Sequence, residues 1–127
     1  MSSSDAHFGA HVGIELSGIS AEVLEGGDIV VAKIWNLLNS CGYRILDFLQ
    51  HHSGTSTGGV STGLVVLVRA YIAIYADPSR SYLAIDVFSL DGRVPFGDWL
   101  ERIIKEFPAH EVRRHDGVRG GFGWPLM

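Results

Sequence analysis

Apolar and polar residues recur along this chain with two different periods. Val12, Ile14 and Leu16 alternate with His11, Gly13, Glu15 and Ser17, which predicts a first strand with one polar face. The next window switches to helical spacing: Val30, Ile34, Leu37, Leu38 and Cys41 form one stripe. Asp28 is placed to cap its start and Gly42 to stop it. Residues 43–50 return to a strand pattern, and 51–63, rich in Gly, Ser and Thr, read as a loop. Residues 64–76 read as one long strand or two joined by a bend. Within it Ala70, Ile72 and Ile74 point one way, and Arg69, Tyr71, Ala73 and Tyr75 the other. A turn at Asp77-Pro78 leads to a further strand over 82–90. Pro95 then opens a second helix with the stripe Phe96, Trp99, Leu100, Ile103, Ile104 and Phe107, ended by Pro108. Residues 110–116 predict a last edge strand.

Strands in close succession interrupted by two amphipathic helices predict an α+β two-layer sandwich. Its antiparallel-rich sheet, of about five strands, carries two helices on one face. The other face would hold Glu15, Arg69, Tyr71, Tyr75, Tyr82, Asp86 and Phe88, a set too aromatic for open water. That predicts a homodimer, with sheets stacked or edges joined. The expected organisation is a flexible leader over 1–10, a single domain over 11–116 and a glycine-rich tail over 117–127.

Composition narrows the classes. The chain has 127 residues, 46% of them hydrophobic, with a mean hydropathy of +0.20. Its 10 basic residues stand against 14 acidic ones, a net charge of −4 without a basic block, so nucleic-acid binding has no electrostatic footprint. The longest apolar run, residues 64–68, is too short to cross a bilayer, and the start lacks the pattern of a signal peptide. A single cysteine, Cys41, excludes an internal disulfide and any multi-thiolate metal site. A cytoplasmic protein is the expectation, with neither membrane nor nucleic acid as partner.

The chemistry that remains is a column of large polar-tipped residues. Arg69, Tyr71 and Tyr75 on one strand face fit a subunit contact, where Tyr and Arg are typical. They fit a ligand site equally well, because a guanidinium holds a carboxylate and aromatic faces attract a cation. Arg69 could also pair with Glu15 or Asp86 across the sheet. His51 and His52 border the Gly/Ser/Thr loop, where His52 could serve as an acid or base. His7 and His11 have i,i+4 spacing but lie in a glycine-containing predicted strand, which argues against a metal pair. Cys41 lies on a core stripe, and residues 53–61 lack the lysine of a phosphate-binding loop, though they could form a lid.

Three stretches carry a family resemblance: "GAHVGIELSGI", "GVSTG" and "YLAIDVFSLDG", in that order and with Pro78 at the family's turn proline. Together they resemble the short prokaryotic S-adenosylmethionine decarboxylases from about Gly9 to Gly117. That family cuts its own chain before a serine in a Glu-Ser-His triplet, and the serine becomes a pyruvoyl group that drives decarboxylation. Here the triplet positions hold Arg69, Ala70 and Tyr71. The family's second histidine falls at Tyr75, its glutamate after the proline at Ser79, and its cysteine at Leu90 or Asp91. Alanine has no hydroxyl to attack the preceding carbonyl, so the resemblance implies a scaffold without a pyruvoyl cofactor. Glu15 and Asp86 match family positions.

The expected function is therefore that of a pyruvoyl-less homologue that binds S-adenosylmethionine or a related amino-acid-derived metabolite. It would catalyse a non-decarboxylative lyase, cyclase or tailoring step, with Tyr71, Tyr75 and His52 as catalytic candidates and Arg69, Glu15 and Asp86 as ligand-binding ones. The alternative is a catalytically inactive pseudoenzyme that regulates an active decarboxylase partner.

Overall fold

A computed structural model of the chain describes residues 9–24, 27–53, 59–90 and 97–119. In chain order the elements are β1 (Gly9–Ser17), α1 (Ala21–Leu24), α2 (Gly27–Ser40), β2 (Ile45–Ser53), β3 (Val60–Leu67), β4 (Ala70–Asp77), β5 (Tyr82–Ser89), α3 (Gly97–Glu106) and β6 (Glu111–Arg119). All six strands form one sheet in the order β2-β3-β4-β5-β1-β6, with every neighbouring pair antiparallel. β2 through β5 run as a meander, and the first strand then enters between β5 and the last. That insertion brings residues about a hundred positions apart into contact.

The period-two pattern decides which side is buried. Val12, Ile14 and Leu16 of β1, Ile72 and Ile74 of β4, and Leu83, Ile85 and Val87 of β5 share one face and are fully or almost fully buried. Val30, Val31, Ile34 and Leu38 of α2, with Trp99, Leu100 and Ile103 of α3 and Phe107 just past it, close over them into one core. Burial of these side chains from water is the main term holding the two layers together. The α+β two-layer sandwich expected from the pattern is the fold found.

Local signals act where the sequence places them. Gly42 adopts φ 88, and its N–H bonds Asn39 O while Tyr43 N–H bonds Leu38 O, so the glycine ends α2 in a Schellman motif. Asp77 accepts from Ser79 N–H at 3.1 Å and from the Ser79 hydroxyl at 2.7 Å, which shapes the single 3-10 turn over Pro78–Arg80.

Of the two readings of 64–76, two strands joined by a bend is the one found, with the bend at Val68 and Arg69. Three expectations change. The sheet has six strands, one more than the pattern suggested. The Gly/Ser/Thr segment is strand at both ends, because His51, His52 and Ser53 of β2 pair with Thr62, Ser61 and Val60 of β3. Ladder hydrogen bonds override its weak strand propensity. Finally, a short α1 precedes α2, and β1 and β6 extend into the segments expected to be leader and tail. Pro95 and Phe96 lie outside the described residues, as do His7 and positions 54–58 of the expected lid.

Candidate ligand site at the β3–β4 hairpin

The two-residue connection between β3 and β4 is tight. Leu67 and Ala70 face each other across the ladder, and Arg69 takes the left-handed φ of 62 that closes the turn. Leu90 N–H, just beyond β5, donates to Arg69 O at 2.8 Å and ties the hairpin end to its neighbour. On the sheet face away from the helices, this corner opens into a cavity of about 500 Å³. Leu64, Val66, Tyr71 and Phe88 form its floor, and Arg69 and Leu90 its rim. Tyr71 and Phe88 are register partners on β4 and β5, with ring centroids 5.5 Å apart and planes tilted by 36°. The volume falls within the range of small-molecule sites. Among the described lining residues, Arg69 alone carries a charge and the rest of the surface is predominantly apolar.

The other sequence candidates are spread over the molecule. Tyr75 lies on the same face as Tyr71 but four residues on, about 13 Å away along the strand. It packs edge-on against Tyr82, at 6.4 Å between centroids. There Glu15 is held from two sides: Tyr82 donates its hydroxyl hydrogen to one carboxylate oxygen, and His115 Nε2 sits against the other, both at 2.7 Å. These two hydrogen bonds, the tyrosine's first, hold the Glu15 carboxyl below its ordinary pKa, with the charges of His115 and Arg113 adding to the effect. The same bond to Glu15, then burial and the carboxylate's charge, push the Tyr82 phenol up to about 12. Asp86 lies between the two ends, with His11 Nε2 at 3.6 Å.

His52 is elsewhere. The register pairs it with Ser61, which pairs in turn with buried Ala76, so it sits on the helix-covered face, opposite Tyr71 and Tyr75. Its Nδ1 is 2.7 Å from the Ser61 hydroxyl, an oxygen on a residue only 1% exposed. The bond satisfies a buried hydroxyl. The expected convergence of Tyr71, Tyr75 and His52 is therefore replaced by three separate locations. Arg69 is likewise a turn residue at the cavity rim, not a member of the strand column.

Phe88, Leu64, Val66 and Leu90 were missed as site residues, and Tyr82 and His115 as partners of Glu15. Alternating apolar residues on the open face announce the first group only once the hairpin is known. His115 could not be found from local pattern at all. Among the described residues, no three His, Cys, Asp or Glu side chains gather as a metal site. No described helix is long and apolar enough to cross a membrane.

Comparison with known proteins decides the relationship. Residues 10–120 match the family described as S-adenosylmethionine decarboxylase. The chain belongs to the S-adenosylmethionine decarboxylase family. Among its relatives is the S-adenosylmethionine decarboxylase proenzyme of Syntrophomonas wolfei, 32% identical over 112 residues, 88% of this chain and 86% of that protein. That of Moorella thermoacetica is 31% identical over 112 residues, covering 88% and 87%. The crystal structure of the adenosylmethionine decarboxylase from Aquifex aeolicus superposes with a TM-score of 0.76 over 95% of this chain and 98% of that one. At 15% identity this likeness shows the shared fold. Family membership thus accounts for the sandwich.

Proposed function

We propose that this chain is a member of the decarboxylase family that does not process itself and that holds S-adenosylmethionine or a related amino-acid derivative in the hairpin cavity. The observation that carries this reading is positional. The cavity opens at Ala70, the residue that the family resemblance aligns with the serine from which a pyruvoyl group is made. Ala70 has no hydroxyl to attack the preceding carbonyl and then leave by elimination, so the residues present do not fit that cofactor. A bound amino acid would keep its carboxylate, with Arg69 at the rim to receive it and the Tyr71 and Phe88 rings to border its cationic or apolar part.

The cavity favours binding ahead of the lyase or cyclase step. Tyr71 is the one described side chain there able to exchange a proton, and Glu15, Asp86 and His52 lie away from it. The chain acts in the cytoplasm, as a homodimer.

Titration calorimetry with S-adenosylmethionine tests this reading. Arg69 is exposed, so Arg69→Ala should weaken binding by about 0.5–1 kcal/mol, the scale of a solvent-screened ion pair. Tyr71→Ala should cost about 0.5–2 kcal/mol through the lost ring face, and His52→Ala should leave affinity unchanged. A loss on His52→Ala with none on Tyr71→Ala would place the ligand on the other side of the sheet and end this proposal.

A further inference from the structure

A second concavity lies on the helix side of the sheet, at the edge formed by β2. Phe48 and Gln50 of β2 face that side, because their register partners are Val65, in the core, and Gly63, against which Val31 of α2 packs. Between α2 and this edge a cleft of about 310 Å³ remains. Phe48 and Gln50 form one wall, and Ala32, Trp35 and Asn36 of α2 form the other. The volume is at the lower end of the range of small-molecule sites, room for a single ring system.

Helical spacing builds the α2 wall. Ala32 and Asn36 stand one turn apart on a single row, with Trp35 beside them. Ala32 is exposed, and its methyl leaves open the space that a longer side chain would fill. Trp35 and Phe48 meet with ring centroids 4.7 Å apart and planes at 86°. In such an edge-on pair one ring gives up a face and the other only an edge, so ring faces remain for a further flat partner. Each wall also brings one carboxamide, Asn36 from the helix and Gln50 from the strand. A carboxamide carries donors and an acceptor side by side. The described lining is therefore two aromatic rings, two carboxamides and a methyl group.

That combination selects a flat, uncharged ring whose edge alternates donors and acceptors. An ion would lose its hydration against a lining that presents neutral groups. A saturated apolar chain would give the carboxamides nothing in exchange for water. A purine meets both demands. Its face stacks on an aromatic ring, and its exocyclic amine and ring nitrogen match a carboxamide in the bidentate manner by which Asn and Gln read adenine.

We propose that the α2–β2 cleft is a purine site, which takes adenine either as the free base or as its nucleoside. Asn36 also borders the neighbouring groove between α2 and α3, where Lys33 and Ser40 stand, so a sugar on the base has a way out over the helix. The cleft and the hairpin cavity lie on opposite faces of the sheet. Both can be filled at once, and the purine acts as a second ligand. The proposal does not rest on the function proposed above.

Nuclear magnetic resonance of the nitrogen-labelled chain, titrated with adenine, tests it. Saturable shifts are expected at the Trp35 indole N–H and at the Asn36 and Gln50 side-chain amides, with the Tyr71 and Phe88 signals unmoved. Asn36→Ala and Gln50→Ala should each weaken binding about tenfold, within the range of a lost bidentate base contact. Ala32→Leu fills the cleft with a good helix former and should abolish binding in a folded chain. Tyr71→Ala, on the other face, should change nothing. Benzimidazole, a fused ring without the amine and the pyrimidine nitrogens, should bind about tenfold more weakly than adenine.

Adenosine separates the two sources: affinity equal to that of adenine assigns the cleft to the nucleoside, and weaker affinity assigns it to the free base. Both outcomes support a purine site. Unchanged affinity in Ala32→Leu, shifts centred on Tyr71, equal affinity for adenine and benzimidazole, or no saturable shift overturns the proposal. Adenine bound here in a chain that does not bind S-adenosylmethionine would sink the hairpin-cavity function and leave this site standing.

Discussion

Gly9→Ala is a small change whose cost can be worked from contacts on the open face. A Cβ at position 9 would lie 2.5 and 2.6 Å from two ring carbons of Phe88 and 2.9 Å from the backbone oxygen of Ser89. Ordinary carbon contacts begin near 3.5 Å, so the ring would have to retreat by about 1 Å. The Ser89 oxygen belongs to β5, whose ladder with β1 fixes it. Phe88 in turn packs on Tyr71 and floors the cavity. Overpacking of this kind costs about 1–3 kcal/mol, which urea denaturation monitored by circular dichroism would register as a lower midpoint at unchanged slope.

Phe88→Leu removes the obstructing ring and should rescue part of the loss. The double-mutant cycle should show a coupling of at least about 0.5 kcal/mol between positions 9 and 88. Additive effects would mean that Gly9 and Phe88 do not touch, and the description of the cavity floor would fall with them.

Restoring a serine by Ala70→Ser should leave a single chain near the native 13.8 kDa, because Arg69 and Tyr71 supply neither the acid nor the histidine of the family triplet; two fragments on denaturing mass spectrometry would refute this. Tyr82, with its phenol pushed up to about 12, should ionise well above the ordinary tyrosine value of 10.0 in an ultraviolet titration, and Glu15→Gln should return it toward that value. The stability that the Tyr82–Glu15 bond contributes is full between the ordinary pKa of the carboxyl, 4.5, and that of the phenol, 10.0. It fades as pH falls through the lowered Glu15 value, and again as pH rises from 10.0 toward about 12. Thermal melts of wild type and Tyr82→Phe should therefore converge at both extremes, and a constant difference across pH would contradict the assigned bond.

Much of the fold was legible because burial imposes a period. The stripe from Trp99 to Phe107 and the alternation of Ala70, Ile72 and Ile74 each chose the correct face. That residues 64–76 could bend was legible, but the position of the bend at Val68 and Arg69 was hidden for a physical reason. Residues 64–68 are all apolar, so the switch of buried positions from odd (Val65, Leu67) to even (Ile72, Ile74) leaves no polar marker. That parity change was the available signal. With the bend not located, Arg69 was placed on a strand face. His52 was assigned to a mobile loop because its neighbours are small and polar, whereas cross-strand pairing with Ser61 holds it on the helix side. The Glu15, Tyr82 and His115 cluster depends on β1 entering between β5 and β6, a topological fact that no local pattern carries.

Native mass spectrometry of the purified chain with S-adenosylmethionine tests the central claim most directly, since it reads processing and binding together. The account predicts one uncut polypeptide per subunit carrying one non-covalent ligand of unchanged mass, with the bound fraction reduced by Tyr71→Ala. A chain split before residue 70, a ligand that has lost its carboxylate, or no complex at concentrations where calorimetry should saturate would contradict it.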